Sequence, residues 1–449
     1  MKNLINWIKK RNPEEKEFHQ AVEKMLVSVQ PVLERSPEIR RHAIVERLIE
    51  PERIIIFRVP WMDDQSQMHV NRGYRIEMNS AIGPYKGGLR FHPWASLNIF
   101  KFLAFEQVFK NALTMLPIGG ARGGSDFDPK GKSDYEVMRF CQSFMAELAR
   151  HIGPDVDIPD GGLGVGAREI GYLFGAYKKQ RNEFSGVLTG KGLGWGGSYF
   201  RPEATGYGVG YFAEEVLKAN GQTMTGKTCL VSGSGNVAQH AAEKIVQLGG
   251  KVLTMSDSSG FIYDAEGIDL EKLTFVKRLK NLKRERIREY VDKYSETVYV
   301  EADPSLEYNE LWNHEADCAF PCAAENEINS KDAENLVKNG VRLICEGADM
   351  PSVPEAIDIF ADSGIWYAPG TAANAGGVAV SCLEMAQNRM LLSWSAEEVD
   401  NKLKAIMINI HKTCLDTAAE FGQSDNYLMG ANIASFIRVV HAMQDQGLF

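Results

Sequence analysis

The segment that most restricts the fold is a glycine-rich turn near the middle of the chain. Residues 231–238 read VSGSGNVA, and they follow an apolar, strand-like run and open a run with helical spacing. This pattern predicts a strand–turn–helix unit that holds a dinucleotide pyrophosphate at the helix N-terminus. Its candidate cofactor residues are Gly233, Ser234, Gly235, Asn236 and Val237. A purely structural glycine turn is the alternative reading, and the strand-like run that follows argues against it.

The end of that next strand bears on which nicotinamide cofactor is bound. It reads Ser256-Asp257-Ser258 and lies about 20 residues after the turn. Asp257 can accept hydrogen bonds from a ribose 2′-hydroxyl, which favours NAD, whereas Ser256 and Ser258 can donate to a 2′-phosphate, which favours NADP. The basic run at 277–284 can supply cations to that phosphate, although such runs are usually solvated helix faces. The residues alone leave both cofactors open.

Strand-like and helical runs alternate between residues 201 and 375, which predicts a doubly wound parallel sheet. A chain of 449 residues is too long for one ordinary core, so we expect an α/β protein with two domains. Residues 1–200 would form a mixed α/β substrate-binding and oligomerisation domain, and 201–377 a Rossmann-type domain. Residues 378–449 read as a helical tail that packs back on the first domain.

The first half combines short β-like runs with glycine-rich stretches and one long apolar helix at about 95–115. The glycine-rich stretches at 83–88, 118–129 and 160–167 are expected to be turns or loops. On the long helix, Gln107, Lys110, Asn111 and Thr114 share one polar face. This face either meets solvent or lines an anion site, and Lys86 on the first glycine-rich turn is a second candidate cation.

Composition excludes several classes of function. A net charge of −9 argues against nucleic-acid or anionic-membrane partners. No targeting segment or membrane-length apolar run is present in the sequence. The seven cysteines are scattered, which predicts reduced thiols, a cytoplasmic location and no metal site.

A series of segments resembles the hexameric glutamate dehydrogenases in the same order, from about residue 50 to the C-terminus. The segments are GPYKGGLRFHP, FEQVFKNALT, GGSDFDPKGKS, GVGAREIG, TGKGL, RPEATGYG, SGSGNVAQ, SDSSG, APGTAANAGG and LEMAQN. The resemblance implies a homo-hexamer, a small-molecule dicarboxylate substrate, and an active site in the cleft between a substrate domain and a Rossmann-type domain.

The resemblance also implies roles for individual residues. Lys86 and Ser381 would bind the side-chain carboxylate of the substrate, and Gln107 and Lys110 its α-carboxylate. SDSSG resembles the NADP-type sequence and makes NADP the expected cofactor. The further cofactor residues implied by position are Thr205, Lys280, Lys283, Asn326 and Asn374.

Two positions depart from the family pattern at the reacting centre. Arg122 stands where the family has its catalytic lysine, and Gly162 stands where it has its catalytic aspartate. An arginine stays protonated and cannot shuttle protons, and glycine has no side chain. The candidate catalytic residues are therefore Arg122 and Asp160. Arg122 would be a fixed cation that binds a carboxylate or stabilises an oxyanion, and Asp160, two residues before the position of the family's aspartate, would be a replacement acid.

Three functions remain open from the sequence. The first is an NADP-dependent oxidoreductase acting on a glutamate-like or 2-oxoglutarate-like dicarboxylate, or on an imine derived from it. The second is a non-catalytic, cofactor-binding regulatory protein. The third is an ordinary glutamate dehydrogenase that tolerates the two replacements.

Overall fold

The computed structural model describes residues 2–447, which form two compact units. The first unit contains the described residues up to Arg201, together with Val378–Val399 and the chain from Asn432 onward. The second contains Pro202–Gly377 and Asp400–Ala431. Part of the helical tail, expected to return whole to the first domain, thus groups with the second unit. No helix of residues 2–447 has both the length and the apolar character needed to span a membrane.

Sixteen α-helices are found in the described part of the chain. They are α1 (Lys2–Arg11), α2 (Lys16–Arg35), α3 (Pro37–Arg41), α4 (Ile44–Ile49), α5 (Leu97–Leu113), α6 (Asp134–Leu148), α7 (Ala167–Arg181), α8 (Ala204–Ala219), α9 (Asn236–Gln247), α10 (Leu270–Lys277), α11 (Ser330–Lys338), α12 (Pro354–Ser363), α13 (Gly370–Ala373), α14 (Gly376–Met390), α15 (Ala396–Glu420) and α16 (Tyr427–Gln446).

Thirteen strands are found in the same residues. They are β1 (Arg53–Met62), β2 (Met68–Asn79), β3 (Tyr85–Phe91), β4 (Gly120–Ser125), β5 (Asp157–Asp160), β6 (Thr228–Val231), β7 (Lys251–Val252), β8 (Thr254–Asp257), β9 (Gly260–Tyr263), β10 (Val298–Glu301), β11 (Cys318–Phe320), β12 (Leu343–Cys345) and β13 (Trp366–Ala368).

The sheet of the first unit has the order β1-β2-β4-β3-β5. β1, β2 and β4 pair antiparallel, whereas β3 lies parallel to both β4 and β5. The strands predicted near 53–78 and the long helix predicted at 95–115 are confirmed as β1, β2 and α5. Ser96 caps α5 by accepting a hydrogen bond from the Ile99 N–H, and Ser133 with Glu136 forms a capping box on α6.

The expectation that the glycine-rich stretches are loops was wrong for two of them, which form β3 and β4. The physical reason is close packing of backbone against backbone. A Cβ atom on Gly87 would lie 1.7 Å from the Ala121 carbonyl oxygen, and one on Gly120 would lie 2.4 Å from Cγ2 of Val108. Glycine is required at such positions because no side chain fits between the strands and α5.

A buried ion pair joins β2 to β5, the strand that carries Asp160. The Arg75 Nε–H donates to Asp157 Oδ2 at 2.7 Å, and both side chains are fully buried. Arg75 also donates to the Gly87 carbonyl oxygen at 3.2 Å. These contacts position the ends of β3 and β5 beside each other, with Gly88 opposite Asp160 in the register.

The second unit contains an all-parallel sheet of order β13-β12-β11-β6-β7. The chain reverses direction across the sheet between β6 and β11, which is the doubly wound arrangement expected from the alternating pattern. The predicted fold class is confirmed. A three-stranded antiparallel sheet, β10-β9-β8, was not foreseen, because β8 reads as a simple continuation of β7.

Candidate functional site

The first unit buries a lysine at the start of β3. Lys86 is only 1% exposed, and its ammonium group donates to Thr189 Oγ1 at 2.8 Å. It also pairs with Asp160 Oδ2 at 3.2 Å. Burial lowers the pKa of Lys86 to about 8, with Arg201 acting in the same direction and Asp160 opposing it. Lys86 is thus a desolvated cation, as expected of a residue that binds a carboxylate.

Asp160, at the end of β5, lies at the centre of this polar cluster. Its Oδ2 accepts hydrogen bonds from the Ser381 hydroxyl and, at 2.6 Å, from Arg201 Nη2. Its Oδ1 accepts from the Gly161 N–H at 2.8 Å. Burial by itself would raise the pKa of Asp160, but the charges of Arg201 and Lys86 outweigh it and hold the pKa well below its usual range. The carboxylate therefore stays ionised and is a poor proton donor, which weakens its expected role as a replacement acid.

A second buried ion pair positions the loop that carries Thr189. Lys191 and Glu384 pair at 2.8 Å with both side chains fully buried. Glu384 Oε2 also accepts from the Gly190 N–H at 2.9 Å. Glu384 lies one helical turn after Ser381 on α14, so the same helix supplies the hydroxyl and holds the loop opposite. Thr189 and Ser381 are thereby fixed around Lys86 and Asp160.

The polar face of α5 is turned inward. Gln107 and Asn111 are buried, and Gln107 Nε2 donates to Asn111 Oδ1 at 2.7 Å. Asn111 in turn donates to the Lys86 carbonyl oxygen at 3.0 Å. Lys110 is half-buried in the last turn of the helix. The stripe predicted from the sequence therefore faces the interior of the unit rather than solvent at Gln107 and Asn111.

Arg122 extends from β4 to this face of α5. Its Nη1–H donates to Gln107 Oε1 at 2.6 Å. The guanidinium also lies beside Gly88, since a Cβ atom built there would be 3.5 Å from Arg122 Cζ. Gly88 is the register partner of Asp160. Arg122 and Asp160, the two candidate catalytic residues, thus flank one strand position and present opposite charges.

Gly162 lies in a tight turn closed by reciprocal hydrogen bonds with Val165, at 3.0 and 2.9 Å. A Cβ atom on Gly162 would lie 2.5 Å from the Leu89 carbonyl oxygen. Real Cβ atoms do not approach a backbone oxygen so closely. A side chain of any kind therefore does not fit at this position unless the turn or the Leu89 carbonyl group moves.

In the second unit, the glycine-rich turn has the conformation that a dinucleotide site needs. Gly233 has φ +81, and its Cβ would meet the Cys322 carbonyl oxygen at 3.1 Å. Gly235 precedes α9 and would meet nothing within 4 Å, which leaves open space at the helix N-terminus. Gln239 ties the turn by donating to the Ser234 carbonyl oxygen at 2.7 Å. Asn236 donates from its amide to the Pro202 carbonyl oxygen at 2.6 Å, and Val237 is half-buried.

The end of β8 adjoins that turn. The Gly233 N–H donates to Ser256 Oγ at 2.7 Å. Asp257 Oδ2 accepts from Lys280 at 2.9 Å, and the exposed Ser258 accepts from Arg286 Nη1 at 2.8 Å. Burial opposes ionisation of Asp257, but bonds from Ser259, Lys280 and the Ile287 N–H lower its pKa to about 2. Its carboxylate is therefore already bonded to protein donors, and cations stand beside Ser258.

The remaining predicted cofactor residues are distributed over several loops and helices. Asn326 has φ +56 and donates its N–H to the Met350 carbonyl oxygen at 2.8 Å. Asn374, the C-cap residue of α13, is buried and donates to Asp349 Oδ1 at 2.9 Å. Thr205 is half-buried near the start of α8. Lys283 pairs with Glu285 at 3.3 Å, at an exposed position.

Comparisons with known proteins place these two units in one family. A family model described as Glu/Leu/Phe/Val dehydrogenase, dimerisation domain, matches residues 51–179. A second, described as Glutamate/Leucine/Phenylalanine/Valine dehydrogenase, matches residues 196–447 and so covers more than half of the chain. The chain belongs to the glutamate/leucine/phenylalanine/valine dehydrogenase family. The resemblance read from its motifs is confirmed.

Similar members of the glutamate/leucine/phenylalanine/valine dehydrogenase family cover the chain from end to end. The NADP-specific glutamate dehydrogenase of Giardia intestinalis is 56% identical, over 100% of this chain and 98% of that protein. A Helicobacter pylori protein with the same description is 54% identical over 100% of both chains. A crystal structure of Plasmodium falciparum glutamate dehydrogenase superimposes with a TM-score of 0.96 at 49% identity, covering 100% of this chain and 95% of that one.

Three residues of the candidate sites in this dehydrogenase-family chain were missed by sequence reasoning. Thr189 and Arg201 lie within the TGKGL and RPEATGYG segments, whose match to the family was the available signal. Arg286 lies just after the basic run at 277–284, and nothing in its spacing indicates a contact with Ser258. Each is identified only by its contact in the folded protein: Thr189 with Lys86, Arg201 with Asp160 and Arg286 with Ser258.

Proposed function

We propose that the chain is an NADP-dependent oxidoreductase that interconverts a 2-amino acid, or an imine derived from it, with the corresponding 2-oxo acid. The observation that supports this most directly is the arrangement of Arg122 against Gln107 on the inward polar face of α5. It provides a cation and an amide beside Lys110 for the carboxylate that 2-amino and 2-oxo acids share. The printed names of the relatives, NADP-specific glutamate dehydrogenase, support the same reaction class and cofactor.

The residues present fit NADP. The open helix N-terminus at Gly235 suits a pyrophosphate, and Ser258 with Arg286 and Lys280 suits a 2′-phosphate. Thr371 Oγ1 on α13 and Oδ1 of its C-cap residue Asn374 are buried oxygens without a hydrogen-bond partner among the described residues, so a polar ligand group there would satisfy them. Bound NADPH supplies a hydride. Asp257 is already held by Lys280, which makes it less available to the 2′-hydroxyl of NAD.

The roles of the site residues follow from their charges. Arg122 stays protonated, so it holds a carboxylate or stabilises a developing oxyanion but does not exchange protons. Asp160 keeps its charge because Arg201 and Lys86 hold its pKa low. Since neither group is suited to proton transfer at the reacting nitrogen, preformed iminium substrates, which need less such help, should react better than a 2-oxo acid with ammonia.

The test is a screen for NADPH oxidation with 2-oxo acids, supplied with ammonia or with a primary amine. We expect measurable oxidation, faster with the amine than with ammonia at equal concentration. A separate fluorescence titration with NADPH shows whether the cofactor binds. Tight NADPH binding with no turnover for any pair would overturn the proposal.

A second candidate function is a regulatory protein that binds the cofactor and does not turn over. The replacement at 122 and the closed space at Gly162 favour it, because both remove proton-transfer groups. Arg122→Lys separates this reading from the first, since it restores a titratable amine without straining the backbone. A gain of glutamate-dependent NADP reduction from a silent background would indicate that only proton transfer had been lost.

Ordinary glutamate dehydrogenase activity is the third candidate, and the names of the relatives favour it. It requires the site to work without a titratable residue at 122. Glutamate-dependent NADP reduction by the unmodified protein, at a rate that Arg122→Lys does not increase, would establish it.

We further propose that the protein works as a homo-oligomer, with a hexamer as the expected state. The match to a dimerisation domain covers β1 and β2, which carry exposed apolar side chains. These include Ile54, Ile56, Met68 and Val70, with 41%, 50%, 67% and 65% exposure. All seven cysteines are buried free thiols, which fits a reducing compartment such as the cytoplasm.

A further inference from the structure

The cluster around Asp160 has more positive charge than its carboxylate balances. Lys86 and Arg201 both pair with Oδ2, and the Ser381 hydroxyl donates to the same oxygen. Lys86 also holds Thr189. Two cations and a hydroxyl thus converge on one carboxylate oxygen. Lys86 lies on β3, Ser381 lies on α14, and Arg201 is the last residue of the first stretch of chain in this unit.

Asp157, three residues earlier on the same strand, shows what a purely structural pair looks like in this unit. Arg75 and Asp157 pair one to one, and both side chains are 0% exposed. The Asp160 cluster differs in two respects. It holds two cations for one carboxylate, and the Arg201 side chain is 18% exposed, so the cluster reaches solvent. An excess of cations in a cluster that is partly open to solvent at Arg201 is typical of a site that binds an anion, rather than of an ion pair that only stabilises the fold.

Removal of the Asp160 carboxylate would leave this pocket as an empty carboxylate site. Lys86 is 1% exposed and Ser381 is 0% exposed, so neither can replace the lost acceptor with bulk water easily. A buried cation that has lost its carboxylate partner is unfavourable even though Lys86 keeps Thr189 as an acceptor, and a carboxylate from outside would restore the lost contacts. The chain itself already supplies that carboxylate.

We propose that Asp160 is the internal occupant of a carboxylate pocket, and that the unmodified protein therefore selects substrates with an uncharged side chain over those with a distal carboxylate. A substrate carboxylate in this pocket would lie within a few ångströms of Asp160, and two carboxylates so placed repel each other. The substrate class rests on the function proposed above, and the description of the family as acting on glutamate, leucine, phenylalanine or valine accommodates both kinds of side chain. The occupancy of the pocket does not depend on that function.

The first experiment measures binding without turnover. Glutarate, which has two carboxylates, and pentanoate, which has one, are titrated by calorimetry into the NADPH-bound wild type and Asp160→Ala. We expect glutarate to bind Asp160→Ala at least about tenfold more tightly than the wild type, with pentanoate little changed. Lys86→Met added to Asp160→Ala should remove the gain. Equal glutarate affinity in the wild type and Asp160→Ala would overturn the proposal.

The controls separate a pocket effect from a general loss of charge or fold. Asp155→Ala removes a carboxylate from an exposed ion pair with Arg389, and it should leave glutarate binding unchanged. Asp160→Asn keeps the shape of the side chain and is used if Asp160→Ala does not fold. We expect Asp160→Asn to gain glutarate affinity as well, because it removes the repelling charge, and no gain in a folded Asp160→Asn protein would also contradict the proposal.

The second experiment measures specificity. The ratio of kcat/KM for 2-oxoglutarate to that for 2-oxopentanoate, with the same amine and NADPH, is compared between the wild type and Asp160→Ala. We expect the wild type to prefer 2-oxopentanoate and Asp160→Ala to shift the ratio towards 2-oxoglutarate by about a hundredfold. If no protein turns over either substrate, the proposed function fails, and the glutarate titration still decides the occupancy of the pocket. A wild type that prefers 2-oxoglutarate would overturn the specificity.

Discussion

At Gly162 the surrounding backbone leaves no space for a side chain. The resemblance to the family implies an aspartate there, yet the Leu89 carbonyl oxygen occupies the space that a Cβ atom would need. The loss of the carboxylate is therefore not reversible by one substitution. Asp160 and Gly161 directly precede this turn, and the Gly161 N–H donates to Asp160 Oδ1 at 2.8 Å.

Gly162→Asp is expected to destabilise the protein by about 1–3 kcal/mol, because a backbone oxygen cannot yield as a flexible side chain would. Chemical denaturation measures this loss as a shift of the midpoint at constant slope. Gly171→Ala in α7 is the matched control, since its Cβ meets nothing within 4 Å. The control should gain roughly 0.5–1 kcal/mol, as helical glycine-to-alanine changes do. Unchanged stability of Gly162→Asp would show that the turn adapts freely.

Lys86 makes stability depend on pH in a defined window. Burial lowers its pKa to about 8 from the ordinary 10.5, so the unfolded chain binds this proton more tightly than the folded protein does. Stability from this group therefore rises as pH increases from about 8 to 10.5. The unfolding free energy of the wild type minus that of Lys86→Met should therefore become more positive as the pH increases over that window.

The measurement is urea denaturation of both proteins at a pH below about 8 and at a pH near 10.5. Lys178→Met, at an exposed position of α7, serves as control and should show no such change relative to the wild type. A constant difference between the wild type and Lys86→Met would mean that Lys86 is not desolvated.

At the scale of elements, the turn before α9 and the end of β8 form one unit through the bond from the Gly233 N–H to Ser256. In the proposed function the helix N-terminus would hold the pyrophosphate, and Arg286 beside Ser258 would distinguish NADPH from NADH. Arg286→Ala should weaken NADPH binding about tenfold, which corresponds to roughly 1.4 kcal/mol, and leave NADH binding nearly unchanged. The reason is that only NADPH carries the 2′-phosphate.

Fluorescence titration with both cofactors measures the two affinities. Arg288→Ala is the matched control, because Arg288 is 64% exposed and pairs with Glu289 instead of Ser258. Equal losses for NADPH and NADH in Arg286→Ala would place the arginine away from the 2′-phosphate.

The strands β1 and β2 are the elements that expose most apolar surface in the first unit's sheet. Such surface is usually covered by a partner. Ile56→Lys should shift the protein from its oligomer to smaller species, measured by sedimentation velocity. Val298→Lys is the control. It also replaces an exposed apolar residue with lysine, but on β10 in the second unit, where the side chain is 56% exposed. If both variants keep the wild-type mass, this surface is not the interface.

At the scale of the whole molecule, the first unit is built from three stretches of chain and the second from two. The last stretch returns to the first unit through Asn432, which donates to Ser28 at 2.9 Å, and through Arg438, which donates to the Leu116 carbonyl oxygen at 3.1 Å. A chain ending at Ala431 would lack these contacts while keeping every stretch of the second unit.

We expect hydrogen exchange in such a truncated chain to lose protection over β1–β5 and to retain it over β6 and β11–β13. Asp155→Ala in the intact chain is the control, since it removes only an exposed ion pair with Arg389, and it should leave both patterns unchanged. Equal loss of protection in both units would show that they fold as a single cooperative body.

The sequence by itself determined the parts of this protein that depend on local pattern. The alternation of strands and helices, the glycine-rich turn before α9 and the polar face of α5 each follow from residues close together in the chain, so each was predicted. The strands β3 and β4 were not predicted. Their glycines are typical of turns in a sequence, and only the fold shows that they are needed because neighbouring backbone leaves no space for a side chain.

Only the tertiary structure decided the meaning of Asp160. From the sequence it was a free acid near a missing aspartate, available for proton transfer. In the fold it is surrounded by Lys86, Arg201 and Ser381, which lie 74, 41 and 221 positions away along the chain. Charge–charge energies depend on distance and burial, and a one-dimensional pattern contains neither. The sequence therefore predicts Asp160 to be a proton donor, whereas in the folded protein it is an anion paired with two cations.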